Sequence, residues 1–298
     1  MALSVLDIRC VWEVNALLGE GPVYDPRNHT LLWVDIKSSK LYRLDLGSYE
    51  KTVWDAPAAI SSLGLQQGGG YICTRQDGFH SLDIVNDERL LFKKLSDPEH
   101  DKPLNRFNDG KVDPECGYWA GTMEDAETDD LAGQWWRLGP DNSVVKMDTG
   151  YHVTNGPTFD ASRSRIYLTD SARQTIFVAT FKNGKLTNKR VFKTFKSDEG
   201  YPDGMSVDRF GYLWVCFWDG SCLRRFDPDG RLVLKLDMPV SRPTSLAFVD
   251  DTAYITSASI GLSKEALRNA PLSGSLFKIK FDADLAPEDR VYGFPAST

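Results

Sequence analysis

The chain has 298 residues, 41% hydrophobic, 26% charged and 11% aromatic, and its 35 basic and 42 acidic side chains give a formal net charge of −7. Such a composition supports a large folded core rather than disorder, and the acidic balance excludes a nucleic-acid binder, which needs a basic stripe to displace counterions. No run of about 18 apolar residues is present to cross a membrane.

In chain order, the segment 8–14 reads as a strand with no hairpin partner of its own. Six related segments follow: Glu20-Gly-Pro-Val-Tyr-Asp25, Ser62-Leu-Gly-Leu-Gln-Gln67, Asn108-Asp-Gly-Lys-Val-Asp113, Asn155-Gly-Pro-Thr-Phe-Asp160, Asp203-Gly-Met-Ser-Val-Asp208 and Ser245-Leu-Ala-Phe-Val-Asp250. All but the degenerate copy at Ser62 end on Asp at the sixth position. Each is followed by a turn and an apolar run, at 31–34, 71–73, 118–120, 166–168, 212–215 and 253–255. The first positions lie 42 to 48 residues apart, which is the period of a propeller blade. Helix-like spacing is confined to 262–269, and a last strand is expected at Leu276–Phe281. The fold expected is all-β: a six-bladed β-propeller, one domain over 1–298. The N-terminal strand supplies the outer strand of the last blade, which removes two sheet edges.

In a propeller the first strand of each blade lies nearest the axis, so Glu20, Ser62, Asn108, Asn155, Asp203 and Ser245 form a ring at one mouth of the channel. Two carboxylates and two carboxamides aimed at one axis are costly unless a positive charge sits between them. Oxygen donors without His or Cys suit a hard divalent cation such as calcium, magnesium or manganese. Glu20, Asn155 and Asp203 are the candidate ligands, with Asn108 close by. A structural axial cation or a hydrated polar mouth fits the same ring. The ends of the second strands, at Asp35, Arg75, Glu124, Asp170 and Asp219, are expected to crowd this face. Arg106 reaches over Asn108 toward a substrate oxygen, or else pairs with Asp109; Arg106, Asn108 and Glu124 are the candidate substrate contacts. The acidic stretch 124–130 reads as a flap over the mouth or as a solvated loop.

The absences narrow the chemistry. There is no G-x-S-x-G elbow, no G-x-x-x-x-G-K-[ST] loop and no H-E-x-x-H pair. Cys10, Cys73, Cys116, Cys216 and Cys222 are scattered without a C-x-x-C pair, and the start of the chain lacks the basic region and apolar core of a secretory leader. Reduced thiols and a cytoplasmic location are expected.

The stretches Leu18-Gly-Glu-Gly-Pro22, Trp33-Val-Asp-Ile36, Asn105-Arg-Phe-Asn-Asp-Gly-Lys-Val-Asp113, Ala120-Gly-Thr-Met123, Thr154-Asn-Gly-Pro157 and Tyr201-Pro-Asp-Gly204 resemble the SMP-30/gluconolactonase/luciferin-regenerating-enzyme family from blade one to blade five. The resemblance implies a six-bladed propeller with one catalytic divalent metal (calcium, magnesium, manganese, zinc or iron) held by Glu20, Asn155 and Asp203. It further implies substrate binding by Arg106 and Asn108, with Asp203 as general base. The stretch 124–130 keeps the acidic character of the family's loop without its sequence. The function expected is hydrolysis of a sugar-derived 1,4- or 1,5-lactone, a small-molecule partner, to the aldonic acid. A non-enzymatic calcium-binding propeller and a metal-dependent esterase or organophosphatase on the same scaffold are the alternatives.

Overall fold

A computed structural model describes residues 3–128, 131–288 and 290–293, so the last two positions of the 124–130 stretch lie outside the described residues. Short apolar runs broken by turn residues give strands and almost no helix. The one α-helix among the described residues, Lys264–Asn269, is capped at Ser263, whose hydroxyl accepts from the Ala266 N–H at 3.1 Å. The strands form six antiparallel sheets, each led by one of the repeated segments. The inner strands are Gly19–Asp25, Ile60–Gln66, Asn105–Val112, Thr154–Asp160, Tyr201–Val207 and Pro243–Val249. Each packs on the next, and the last returns to the first, so the chain is a six-bladed β-propeller.

The ring closes as the repeats require. The N-terminal strand, Val5–Trp12, pairs antiparallel with Leu276–Phe281 and becomes the outer strand of blade six. It begins and ends slightly earlier than the 8–14 expected. Trp12 then packs edge-on against Trp33 of blade one, with ring centroids 5.0 Å apart. The core divides into six apolar wedges, one between each pair of neighbouring blades. One wedge joins Trp214 and Leu223 of blade five to Phe248, Ile255 and Phe281 of blade six. Each large side chain buried in this way contributes about 1.5–3 kcal/mol. Cys216 and Cys222 sit on neighbouring strands of blade five as buried, free thiols.

The recurrent Asp after the inner strand closes the turn into the second strand. Asp208 accepts from the Phe210 and Tyr212 N–H groups, then from the Trp214 indole at 2.9 Å and the Arg225 guanidinium at 2.7 Å. Asp113 repeats the pattern with Glu115, Gly117, Trp119 and Arg137. Asp25 and Asp160 take simpler versions, and Asp250 turns the chain with φ +50° instead.

A further strand, Val291–Tyr292, pairs in parallel with the inner strand of blade two at the end away from the repeats' first residues. The Tyr292 hydroxyl donates to Asn142 Oδ1 at 2.8 Å, tying the chain end to blade three. Two residues are too few to carry a periodic signal, and the last strand expected from the sequence is Leu276–Phe281.

Asp208→Ala strips the buried Arg225, 5% exposed, of its carboxylate. It should cost about 3–5 kcal/mol, read as a lowered urea midpoint at unchanged slope. An unchanged midpoint would remove this turn from the list of what holds the blades.

Candidate active site

All six inner strands carry a register irregularity at their first residues: between Glu20 and Val23, Ile60 and Ser62, Phe107 and Gly110, Asn155 and Thr158, Pro202 and Met205, and Pro243 and Leu246. A bulge interrupts the alternation of a strand and re-aims one side chain. Here it occurs at the level of Glu20, Asn108, Asn155 and Asp203. Gly21 at φ +54° and Gly156 at φ +69° take backbone that other residues resist, which accounts for glycine directly after Glu20 and Asn155.

The five residues Glu20, Arg106, Asn108, Asn155 and Asp203 line one cavity of about 460 Å³ at this mouth. Each is less than 9% exposed. Glu20 accepts from the Gly21 N–H at 3.1 Å, and Asp203 accepts from the Gly204 N–H. Neither carboxyl forms an ion pair among the described residues. Burial, and then repulsion from Asp203 and Asp109, pushes the Glu20 carboxyl well above the usual carboxylate range. Asp203 is raised in the same way by burial and by Asp109. Below them Asp109 is pushed up to about 7 by burial against the pull of Lys111. Lys111 is lowered to about 8, again by burial, and donates to the Met205 carbonyl at 2.9 Å.

Buried carboxyls that lack a counter-charge are the donor set a hard divalent cation satisfies. No three His, Cys, Asp or Glu side chains among the described residues gather closely enough to hold an ion alone. A hard cation here would need further oxygen donors beside the two carboxylates, such as a carboxamide, a backbone carbonyl or water. Asn155 fits: its Oδ1 accepts from Asn108 Nδ2 at 2.8 Å and keeps a second lone pair, while its Nδ2 donates to Ser171 Oγ.

Arg106 turns away from Asp109. Its Nε donates to Asp125 Oδ1 at 2.5 Å and its Nη1 to Asn108 Oδ1 at 2.6 Å. Glu124 does not line the cavity; its carboxylate accepts from the Thr128 backbone and hydroxyl, and Glu127 lines the cavity instead. Asp35 and Asp170 reach this face but spend their carboxylates on loop backbone, Leu17 and Leu18 in one case, His152 and Val153 in the other. Asp219 is paired to Arg242 at 2.6 Å, and Arg75 is absent from the cavity lining. The cavity wall also carries apolar side chains, Leu18, Met123, Val153, Trp218 and Ile260, with Arg242 lying 4.5 Å over the Trp218 ring. Lys37 and Arg242 gave no signal in sequence, because they sit on loops outside the repeat, whereas Asp125 falls in the acidic stretch 124–130.

With this geometry in place, the comparisons with known proteins are specific. Residues 18–259 match the model of the SMP-30/Gluconolactonase/LRE-like region. Regucalcin of Gallus gallus is 34% identical over 287 residues, covering 93% of this chain and 95% of the relative. The crystal structure of regucalcin from Agrobacterium tumefaciens, described as a calcium-binding protein, superposes with a TM-score of 0.89 at 26% identity, covering 95% and 96% of the two chains. A gluconolactonase from Xanthomonas campestris shares the fold, with a TM-score of 0.74 at 20% identity over 92% and 89%.

The raised carboxyls make a stability prediction. Glu20 and Asp203 bind protons more readily folded than unfolded, so their cost is absent below about pH 4, where both states are protonated. It grows as pH rises toward neutrality. In chelator-treated protein at pH 7.5, Asp203→Asn should raise stability by about 1–2 kcal/mol, an advantage lost at pH 4 and seen as a higher melting temperature. Equal or lower melting at pH 7.5 would contradict the repulsion described.

Proposed function

The chain belongs to the SMP-30/gluconolactonase/LRE-like family, and from that premise we propose that it hydrolyses an aldono-1,4- or 1,5-lactone to the aldonic acid with one divalent cation. The observation that supports this most is the pair of buried, uncompensated carboxyls, Glu20 and Asp203, on the floor of a cavity that also presents Arg106 and Asn108. Glu20, Asn155 and Asp203 are the residues that would hold the cation. When bound, it supplies Lewis acidity toward the lactone carbonyl and offsets the charge that gathers on that oxygen.

The chain's own residues supply the rest. Asp203 accepts a proton from the attacking water. Arg106 keeps Nη2 without a protein partner among the described residues, so that donor is available to a ring oxygen or hydroxyl of the substrate. Asn108, fixed by Arg106 on one side and by Asn155 and the Thr154 carbonyl on the other, holds the ring in register. Glu124 keeps a place as a substrate contact that engages only once its carboxylate leaves Thr128. The cytoplasm remains the proposed location, on the strength of the free thiols.

The apolar side chains of the cavity favour a second reading, a metal-dependent esterase or organophosphatase, whose substrates carry an apolar group to lay against Trp218 and Ile260. One experiment ranks these readings and the calcium-binding propeller. Chelator-stripped protein is given one divalent cation at a time and assayed against gluconolactone, galactonolactone, xylonolactone, arabinonolactone and an aryl ester. Lactone opening that vanishes with chelator and returns with a cation is the expected result. Faster turnover of the aryl ester transfers the assignment to the second reading, and cation binding without any turnover transfers it to the binding protein. In the active form Asp203→Asn should lower kcat by about two orders of magnitude or more; near-native turnover would remove Asp203 from the chemistry.

A further inference from the structure

Two loops from blades that are not neighbours meet over the mouth. Blade two lies between blades one and three, and it turns back in two residues between the paired Arg75 and Gly78. Across it, Lys37 of blade one donates to Asp125 Oδ1 of blade three at 2.6 Å. The same oxygen accepts from Arg106 Nε at 2.5 Å. The Asp125 N–H is itself anchored on the Leu104 carbonyl at 3.0 Å, so backbone and side chain are both fixed.

The exposures differ in a telling way. The Arg106 side chain is 9% exposed, that of Lys37 30% and that of Asp125 51%. An ion pair this open contributes little to global stability, and its consequence lies in where it aims the buried guanidinium. Arg106 Nε is taken by Asp125, and Nη1 by Asn108 and the Phe107 carbonyl at 3.1 Å. That leaves Nη2 as the donor available to the cavity. Without Asp125, the planar fork loses the contact that sets its rotation about the side-chain axis.

We propose that Asp125 is a positioning residue that aims the Arg106 guanidinium into the cavity, and that Lys37 fastens Asp125 from the facing blade. Its effect on turnover rests on the lactonase reading, whereas its effect on Arg106 does not. The pair therefore sets how tightly substrate is held rather than how fast the bond breaks.

Two measurements test this on the full chain. In protein labelled with ¹⁵N-arginine, the Arg106 Nε–H signal, assigned by its loss in Arg106→Lys, should be slow to exchange with water. In Asp125→Ala it should shift and exchange at least tenfold faster; in Lys37→Met the change should be smaller, and Asp125→Glu should restore most of the protection. With the lactone that the native chain opens fastest, Asp125→Ala should raise KM about tenfold while kcat stays within about twofold. Lys37→Met should raise KM about threefold. An Arg106 signal unchanged in Asp125→Ala overturns the proposal, and so does a fall in kcat at constant KM. If the native chain opens no lactone, the lactonase reading fails and the NMR measurement alone decides the role of Asp125.

Discussion

A closed ring of six sheets cannot choose where its inner strands begin. They converge, and the first residues of four repeats, Glu20, Asn108, Asn155 and Asp203, line one cavity, whereas Ser62 bonds to Thr74 and Tyr118 and Ser245 lines a separate cavity. Two of those residues are carboxylic acids, Glu20 and Asp203, buried without a counter-charge and with Asp109 close beneath them. The fold accepts that cost because the wedges between blades bury far more apolar surface than two strained carboxyls forfeit. A site of this kind is destabilising by design of its geometry, and it is relieved only when something positive arrives.

The repeat made most of this legible. Glu20, Asn108, Asn155 and Asp203 were found because each opens a copy of the same six-residue segment, and the period placed them in one ring. The strand at the N-terminus was assigned to blade six because it had no partner nearby in sequence. What escaped has a common cause. Asp35 and Asp170 looked like members of the site, yet they satisfy backbone N–H groups of the loops that lead into blades one and four. Spacing places a carboxylate near a mouth; only coordinates say which donor it faces. Arg106 was assigned to the mouth, but its carboxylate partner is Asp125 of the following loop rather than Asp109, since residues three apart on a strand face opposite ways. Loops joining second and third strands, which carry Lys37 and Asp125, follow no repeat at all.

The cavity is mixed in character. Beside its charged and amide groups it carries Leu18, Met123, Val153, Trp218 and Ile260. The cations at its rim are each matched, Arg242 by Asp219 and Lys37 by Asp125. A molecule entering therefore meets little net field from these pairs and is sorted by shape and by hydrogen bonding to the floor.

The joint in blade six carries a consequence for how the molecule is made. Val5–Trp12 waits for Leu276–Phe281, which lies more than two hundred and fifty residues later in the chain. During synthesis the first five blades can form in order, each on the one before it, but the circle stays open until nearly the last strand has emerged. Glu20 and Asp203 are brought to their final separation only at that moment. A chain that stops short of the joint between Val5–Trp12 and Leu276–Phe281 closes no ring around Glu20 and Asp203.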